Sequence, residues 1–77
     1  MYDERLATLA ILADMGNADY RGVEIERARD YGWTLTDGQS GRVTFAADAL
    51  CALHLVDMLR DHGAEEWFSP PEAEEAA

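Results

Sequence analysis

Lysine is missing from this chain of 77 residues, and six arginines are its only permanent cations. Sixteen Asp and Glu residues oppose them, so the formal net charge is −10. This excess disfavours direct binding to nucleic acid or to an anionic membrane, because like charges repel. The lack of lysine also argues against a phosphate loop of the Walker type. We therefore expect a basic protein or nucleoprotein complex as the partner.

Cysteine occurs once, so Cys51 has no partner for an internal disulfide. It lies in an apolar stretch of a predicted helix, and we expect a reduced, buried and unreactive thiol. The first five residues lack the basic region of a secretory signal, and the longest apolar run, residues 6–13, is far shorter than the roughly 20 residues that span a bilayer. We predict a cytoplasmic location.

Patterns of catalytic or metal-ligating residues are equally scarce. His54, Asp57 and Asp61 recur at helical spacing, and Cys51 precedes His54 by three residues. A solvated helix face explains the first group better than a metal site does, because no second ligand cluster occurs elsewhere. A buried thiol explains the second better than a nucleophile does. We expect no enzymatic activity, no cofactor and no metal.

The only two prolines are adjacent, at positions 70–71. We predict a single compact domain over residues 1–63 and an acidic, proline-containing tail over 64–77. Trp67 and Phe68 lie in this tail, where they either fold back to close the small core or anchor a partner. A chain of this size buries only about 60% of its unfolded surface, and we expect a monomer or a homodimer.

One helix is predicted at each end of the domain. In residues 3–15 one apolar face is predicted from three- and four-residue spacing, formed by Leu6, Leu9, Leu12 and Ala13 with Ala10 beside them. Gly16 provides a stop. Residues 46–62 form the second helix and should be the central core element. Its apolar residues cover more than half of its circumference: Leu50, Leu53, Leu55, Val56, Met58 and Leu59.

Between the helices, residues 23–35 alternate with period two, which favours a strand. A short helix over 24–31, capped by Gly32, is the alternative, and on the strand interpretation Gly32 marks a bend or bulge. Residues 37–41 have the composition of a turn, and 42–45 form a second strand.

In that hairpin we expect Val43 and Phe45 to face the same side as Trp33 and Leu35. The predicted fold class is α+β, with an N-terminal helix, a small antiparallel sheet and a long C-terminal helix packed on one face of the sheet. A small all-α bundle is the alternative.

Carboxylates recur along the first strand. Glu24, Glu26 and Asp30 are predicted on one face, with neighbours about 6.5–7 Å apart. Asp37 in the turn, with Asp14 and Asp19 near the first connection, would extend this row. A line of negative charge of this kind resembles a phosphate backbone. The alternatives are an ordinary solvated sheet face and a background acidity, as in a GC-rich genome or a salt-loving organism.

In size, acidity and lack of catalytic residues, the chain resembles the small phage-encoded inhibitors of bacterial defence systems, anti-CRISPR proteins in particular. The resemblance implies a non-enzymatic DNA mimic that competes with DNA for the basic channel of a CRISPR effector, with Glu24, Glu26, Asp30 and Asp37 as phosphate surrogates. A second hypothesis is a small interaction module, or an antitoxin-like subunit. Such a module would bind through its apolar helix face and through Trp67 and Phe68.

Overall fold

Two helices and a four-stranded antiparallel sheet make up the part of the chain that the computed structural model describes, residues 3–69. The sheet order is β1-β2-β3-β4, so each strand pairs with its neighbours in sequence. The α+β prediction is confirmed. The elements are α1 (Glu4–Met15), β1 (Asn17–Tyr20), β2 (Val23–Arg27), β3 (Trp33–Asp37), β4 (Val43–Ala46) and α2 (Ala49–His62), followed by a 3₁₀ turn at Glu65–Trp67.

Both helices begin at an aspartate cap and end at a glycine. The Asp3 carboxylate accepts a hydrogen bond from the Arg5 amide at 3.0 Å, and Asp48 accepts one from the Cys51 amide at 2.7 Å. Such caps satisfy amides that have no partner within the helix. Gly16, the predicted stop, is the C-cap of α1, and Gly63 is the C-cap of α2. The second helix begins at Ala49 rather than at residue 46, because Ala46 still belongs to β4.

The buried side of α1 is narrower than its leucine spacing indicates. Leu12 and Thr8 are buried, whereas Leu6 is exposed. The Thr8 hydroxyl donates to the Glu4 carbonyl at 2.7 Å, which satisfies it within the helix and makes its burial inexpensive. Since α1 contacts chiefly the edge strand β1, only one side of it is covered. The predicted apolar face is therefore wrong at Leu6, Ala10 and Ala13, which are all exposed.

The middle of the chain forms two strands where one long strand was predicted over residues 23–35. β2 ends at Arg27, residues 28–32 reverse the chain, and β3 begins at Trp33. The turn closes at Gly32, which has φ +82° and leaves no room for a side chain, since an added Cβ would lie 2.7 Å from the Ala46 carbonyl oxygen. A bend was expected at Gly32, but not a full reversal. The strand β1 was not predicted.

The β3–β4 hairpin is confirmed, but two of its side chains face the other way. Trp33 pairs with Ala46, and Thr34 pairs with Phe45. Directly paired residues project to the same face, so Phe45 and Val43 lie opposite to Trp33. The connection sets this register through the hydrogen bond from the Asp37 amide to the Arg42 carbonyl.

Both helices pack on one face of the sheet and enclose the core. Phe68, only 3% exposed, folds back into it, and Ser69 exchanges two backbone hydrogen bonds with Val43 at 3.1 and 2.7 Å. The compact unit therefore extends past the boundary expected at residue 63 and includes residues 64–69. The rest of the predicted tail lies outside the described residues. The largest fully buried side chains are Leu12, Val23, Ile25, Leu35, Leu53 and Val56.

Candidate protein-binding face

The sheet has a second face that no helix covers in residues 3–69, and we call it the open face. Its side chains form two rows across the strands, because paired residues project together. In each row the chemistry changes from acidic or amide groups on β1 and β2, through a hydroxyl on β3, to an apolar side chain on β4. From β1 to β4, one row is Asn17, Glu26, Thr34 and Phe45, and the other is Asp19, Glu24, Thr36 and Val43.

Three exposed carboxylates, Asp19, Glu24 and Glu26, form the acidic half of the open face. Asp19 pairs directly with Glu24, which brings two like charges to adjacent positions. Glu26 follows two residues along β2, about 7 Å from Glu24. Asp14, at the end of α1, lines a shallow depression together with Glu26 and extends the acidic surface. Of the row predicted from sequence, Asp19, Glu24 and Glu26 thus lie together on the open face, with Asp14 beside Glu26.

Three of the six arginines pair with carboxylates away from this surface. The Arg21 guanidinium binds Asp57 at 2.9 Å and Asp61 at 2.7 Å, and Arg5 lies 3.6 Å from Asp57. Arg60 binds Asp37 at 2.7 Å. Every carboxylate in these ion pairs belongs to α2 or to the inner face, and within residues 3–69 no cation lies within 4.0 Å of the acidic half. Arg27 lines the same depression as Asp14 and Glu26, but its guanidinium lies over the Trp33 ring, 5.2 Å from the ring centroid. In the described residues no close ion pair therefore offsets the acidic half.

Asp37 was expected on the partner-binding surface, and the structure places it inside. It pairs with Val23 on the inner face and is 4% exposed. Its carboxylate accepts hydrogen bonds from Arg60, from the Gln39 amide at 3.1 Å and from the Ser40 hydroxyl at 2.8 Å. Burial raises the pKa of Asp37, but these hydrogen bonds outweigh burial and lower it below its ordinary value. Asp37 is a structural residue.

Asp30 also differs from its predicted position. It lies in the turn between β2 and β3 rather than on a strand, so it does not continue the alternation of Glu24 and Glu26. It remains exposed at the end of β2 that carries Glu26. Asp30 can therefore flank the acidic half but does not belong to its two rows.

Asp57 and Asp61 hold the β1–β2 turn against α2. Besides Arg21, Asp57 accepts a hydrogen bond from the Tyr20 hydroxyl at 2.8 Å. Burial, together with this hydrogen bond, raises the pKa of Tyr20 to about 12. The hydrogen bond from Arg21 lowers the pKa of Asp61. The structure thus gives both carboxylates a structural role, and over residues 3–69 no group of three His, Cys, Asp or Glu side chains is placed to hold a metal ion.

Cys51 is exposed, which corrects the prediction of a buried thiol. It lies in the first turn of α2, where the buried side of the helix begins one residue later at Ala52. Its side chain and that of His54 line a shallow depression with Arg5 and Leu50. The apolar character of the surrounding sequence did not reveal which side of the helix faces the core.

The two tail aromatics have separate roles. Phe68 closes the core, whereas Trp67 is 43% exposed and lies beside His54 with their ring centroids 6.5 Å apart. A second aromatic pair was not predicted. Tyr31, 70% exposed, meets the half-exposed ring of Phe45 edge to face at 5.8 Å, and we call these two residues the aromatic corner. Only the strand register reveals that Phe45 faces outward.

No helix in the described part of the chain is long and apolar enough to cross a membrane. Comparisons with protein-family models, with curated proteins and with solved structures give no match to this chain.

Proposed function

We propose that this protein is a non-enzymatic inhibitor that binds a basic nucleic-acid-binding protein complex in the cytoplasm and competes with DNA. The supporting observation is the separation of charge. Arg5, Arg21 and Arg60 pair with carboxylates on α2 and on the inner face, while Asp19, Glu24 and Glu26 form no ion pair on the open face within the described residues. The anti-CRISPR type, with a CRISPR effector as target, is the class of inhibitor that this chemistry fits.

The acidic half offers the same contacts as a short stretch of phosphate backbone. Lysine and arginine side chains that line a DNA channel bind phosphate oxygens through charge-assisted hydrogen bonds, and carboxylates accept the same bonds. Electrostatic attraction would accelerate association with such a channel. Burial of Phe45 and Tyr31 on the same face would slow dissociation. In this mechanism Asp14 and Asp30 flank the contact, and Asp37 supports the fold.

A pair of charge-matched variants tests the proposal. Asp19→Asn/Glu24→Gln/Glu26→Gln neutralises the acidic half, and Glu4→Gln/Glu65→Gln/Glu66→Gln neutralises three exposed carboxylates elsewhere. Bacterial DNA-binding proteins are retained on immobilised DNA and then eluted with each protein at a fixed low salt concentration. Released proteins are identified by mass spectrometry and retested singly by mobility shift of labelled DNA.

The wild-type protein and the control variant should release the same protein or complex and free the labelled DNA. The acidic-half variant should do so at least tenfold less effectively, because each contact with a charged group contributes about 1.5–3 kcal/mol. Equal release by wild-type protein and by the acidic-half variant would contradict the assignment of the face. Failure of the wild-type protein to release anything would contradict competition with DNA.

A second function is supported by the exposure of Trp67 next to His54 on the other side of the molecule. There the chain would act as an interaction module or antitoxin-like subunit, with Trp67 as its anchor. Trp67→Ala distinguishes the two functions, since it should abolish binding in the second and leave competition with DNA unchanged in the first. Truncation after Gly63 is a poorer test, because it also removes Phe68 from the core.

A further inference from the structure

The open face is acidic on one side only, and the side chains along its middle strand, β3, are short. Thr34 and Thr36 of β3 are short and half-buried, and they lie between the carboxylates of β2 and the apolar residues of β4. Neighbouring strands are about 4.8 Å apart, so β2 and β4 are separated by about 10 Å. A uniform DNA mimic would carry charge on both sides of this space.

This width is close to the diameter of an α-helix, about 10–12 Å with its side chains. Along the other axis, β2 has five residues and extends about 17 Å, which is the length of a helix of about eleven residues. Residues four apart on a helix are separated by about 6 Å along its axis, close to the separation of about 7 Å between Glu24 and Glu26.

We infer that the open face binds an amphipathic α-helix of the partner, lying along β3 over Thr34 and Thr36. The basic side of this helix contacts Glu24 and Glu26, and its apolar side packs on the aromatic corner of Tyr31 and Phe45. This inference rests on the proposed function and specifies the partner surface that the face recognises. Charge complementarity selects this occupant over a second copy of the chain, because the two rows of the open face contain no cation to pair with Glu24 and Glu26.

Two helical peptides of identical composition test the inference. Both are 18-residue alanine-based helices with four arginines and four leucines. In the first, arginines and leucines form two separate adjacent stripes; in the second, both residue types are distributed around the helix. Each peptide is labelled with a fluorophore, and its binding to the full chain is measured by fluorescence anisotropy in 50 mM and 500 mM salt, after circular dichroism has shown equal helicity.

The striped peptide should bind the wild-type protein at least tenfold more tightly than the scrambled peptide, because only it can engage both halves of the face together. Tyr31→Ser/Phe45→Thr should remove this preference and leave the binding of the scrambled peptide unchanged. The acidic-half variant should bind both peptides more weakly than the wild-type protein does, chiefly at low salt.

Four results would overturn the inference in different ways. Equal binding of the two peptides, with loss in the acidic-half variant, refutes the helix and leaves the proposed function intact. Binding of both peptides that the acidic-half variant does not change refutes the proposed function as well. Binding of neither peptide refutes the helix alone, and the elution of proteins from immobilised DNA then decides the proposed function. A wild-type dimer that Phe45→Thr dissociates in analytical ultracentrifugation assigns the face to a second copy of the chain.

Discussion

Asp37 is the residue whose role differs most from what its sequence position indicates. An aspartate followed by glycine in a polar segment is typical of an exposed turn. Its burial depends on Arg60, which lies 23 positions later on α2 and donates a hydrogen bond to the Asp37 carboxylate. No local pattern contains that information. The same limitation applies to Cys51, since its exposure depends on the direction in which the first turn of α2 meets the sheet.

Asp37→Asn should lower the free energy of unfolding by about 3 kcal/mol, because it leaves the largely buried Arg60 guanidinium without its charge partner. Asp30→Asn is the matched control. It removes the same charge from an exposed turn and should change stability by less than about 0.5 kcal/mol. Urea unfolding at pH 7 measures both variants, and equal losses would show that the pair with Arg60 contributes nothing.

The difference in stability between Asp37→Asn and Asp30→Asn should depend on pH. Since the pKa of Asp37 in the folded protein is lowered, its ionised form stabilises the fold above the pKa of the unfolded chain, about 3.9. That contribution is lost as the pH falls through the unfolded and then the folded value. The gap between Asp37→Asn and Asp30→Asn should therefore narrow below about pH 4 in urea titrations between pH 7 and pH 3. A constant gap would contradict the lowered pKa.

At the scale of elements, hydrophobic periodicity predicted the two helices and the β3–β4 hairpin, but it missed the short strand β1 and the tight reversal before β3. Both helices and the β3–β4 hairpin follow from apolar spacing and turn composition. The strand β1 has four residues, of which only Tyr20 is buried, so it carries no alternation to detect. The reversal at residues 28–32 was hidden because the period-two pattern continues through the turn by coincidence. Only the pairing of Arg27 with Trp33 reveals it.

A substitution at Gly32 tests the tight reversal between β2 and β3. Gly32→Ala should cost about 2–4 kcal/mol, because it combines an unfavourable positive φ with overlap onto the Ala46 carbonyl and the Phe45 ring. Gly63→Ala is the control, since Gly63 also has positive φ but an added Cβ meets nothing within 4 Å. We expect it to cost about 1 kcal/mol. Thermal and urea unfolding should separate the two variants; similar losses would indicate that the turn can widen.

For the molecule as a whole, the acidic half of the open face destabilises the folded state. Asp19 and Glu24 face each other across two strands, and such like-charge pairs destabilise by about 0.2–1 kcal/mol. Asp19→Asn/Glu24→Gln/Glu26→Gln should therefore unfold at higher urea than wild type at 10 mM salt. The gain should disappear near 1 M salt, where screening acts over about 3 Å.

Glu4→Gln/Glu65→Gln/Glu66→Gln should show no comparable gain, because Glu4 lies favourably in the first turn of α1 and none of the three pairs with a carboxylate across strands. A gain of equal size in this control would mean that total charge, and not the pairing on the open face, sets the salt dependence. The sequence predicted that the charge is concentrated. The structure adds that Arg5, Arg21 and Arg60 are ion-paired away from it, which depends on tertiary contacts.

The backbone pairing of Ser69 with Val43 also limits how another protein can approach. An unpaired outer strand invites a further strand to extend the sheet, both in peptide recognition and in aggregation. Ser69 occupies that position at the start of β4, and the opposite edge, β1, offers only four residues. Extension of the sheet by a foreign strand is thus poorly supported on either side. A partner is left with the flat surface of the sheet, where recognition depends on side chains and can be changed one residue at a time.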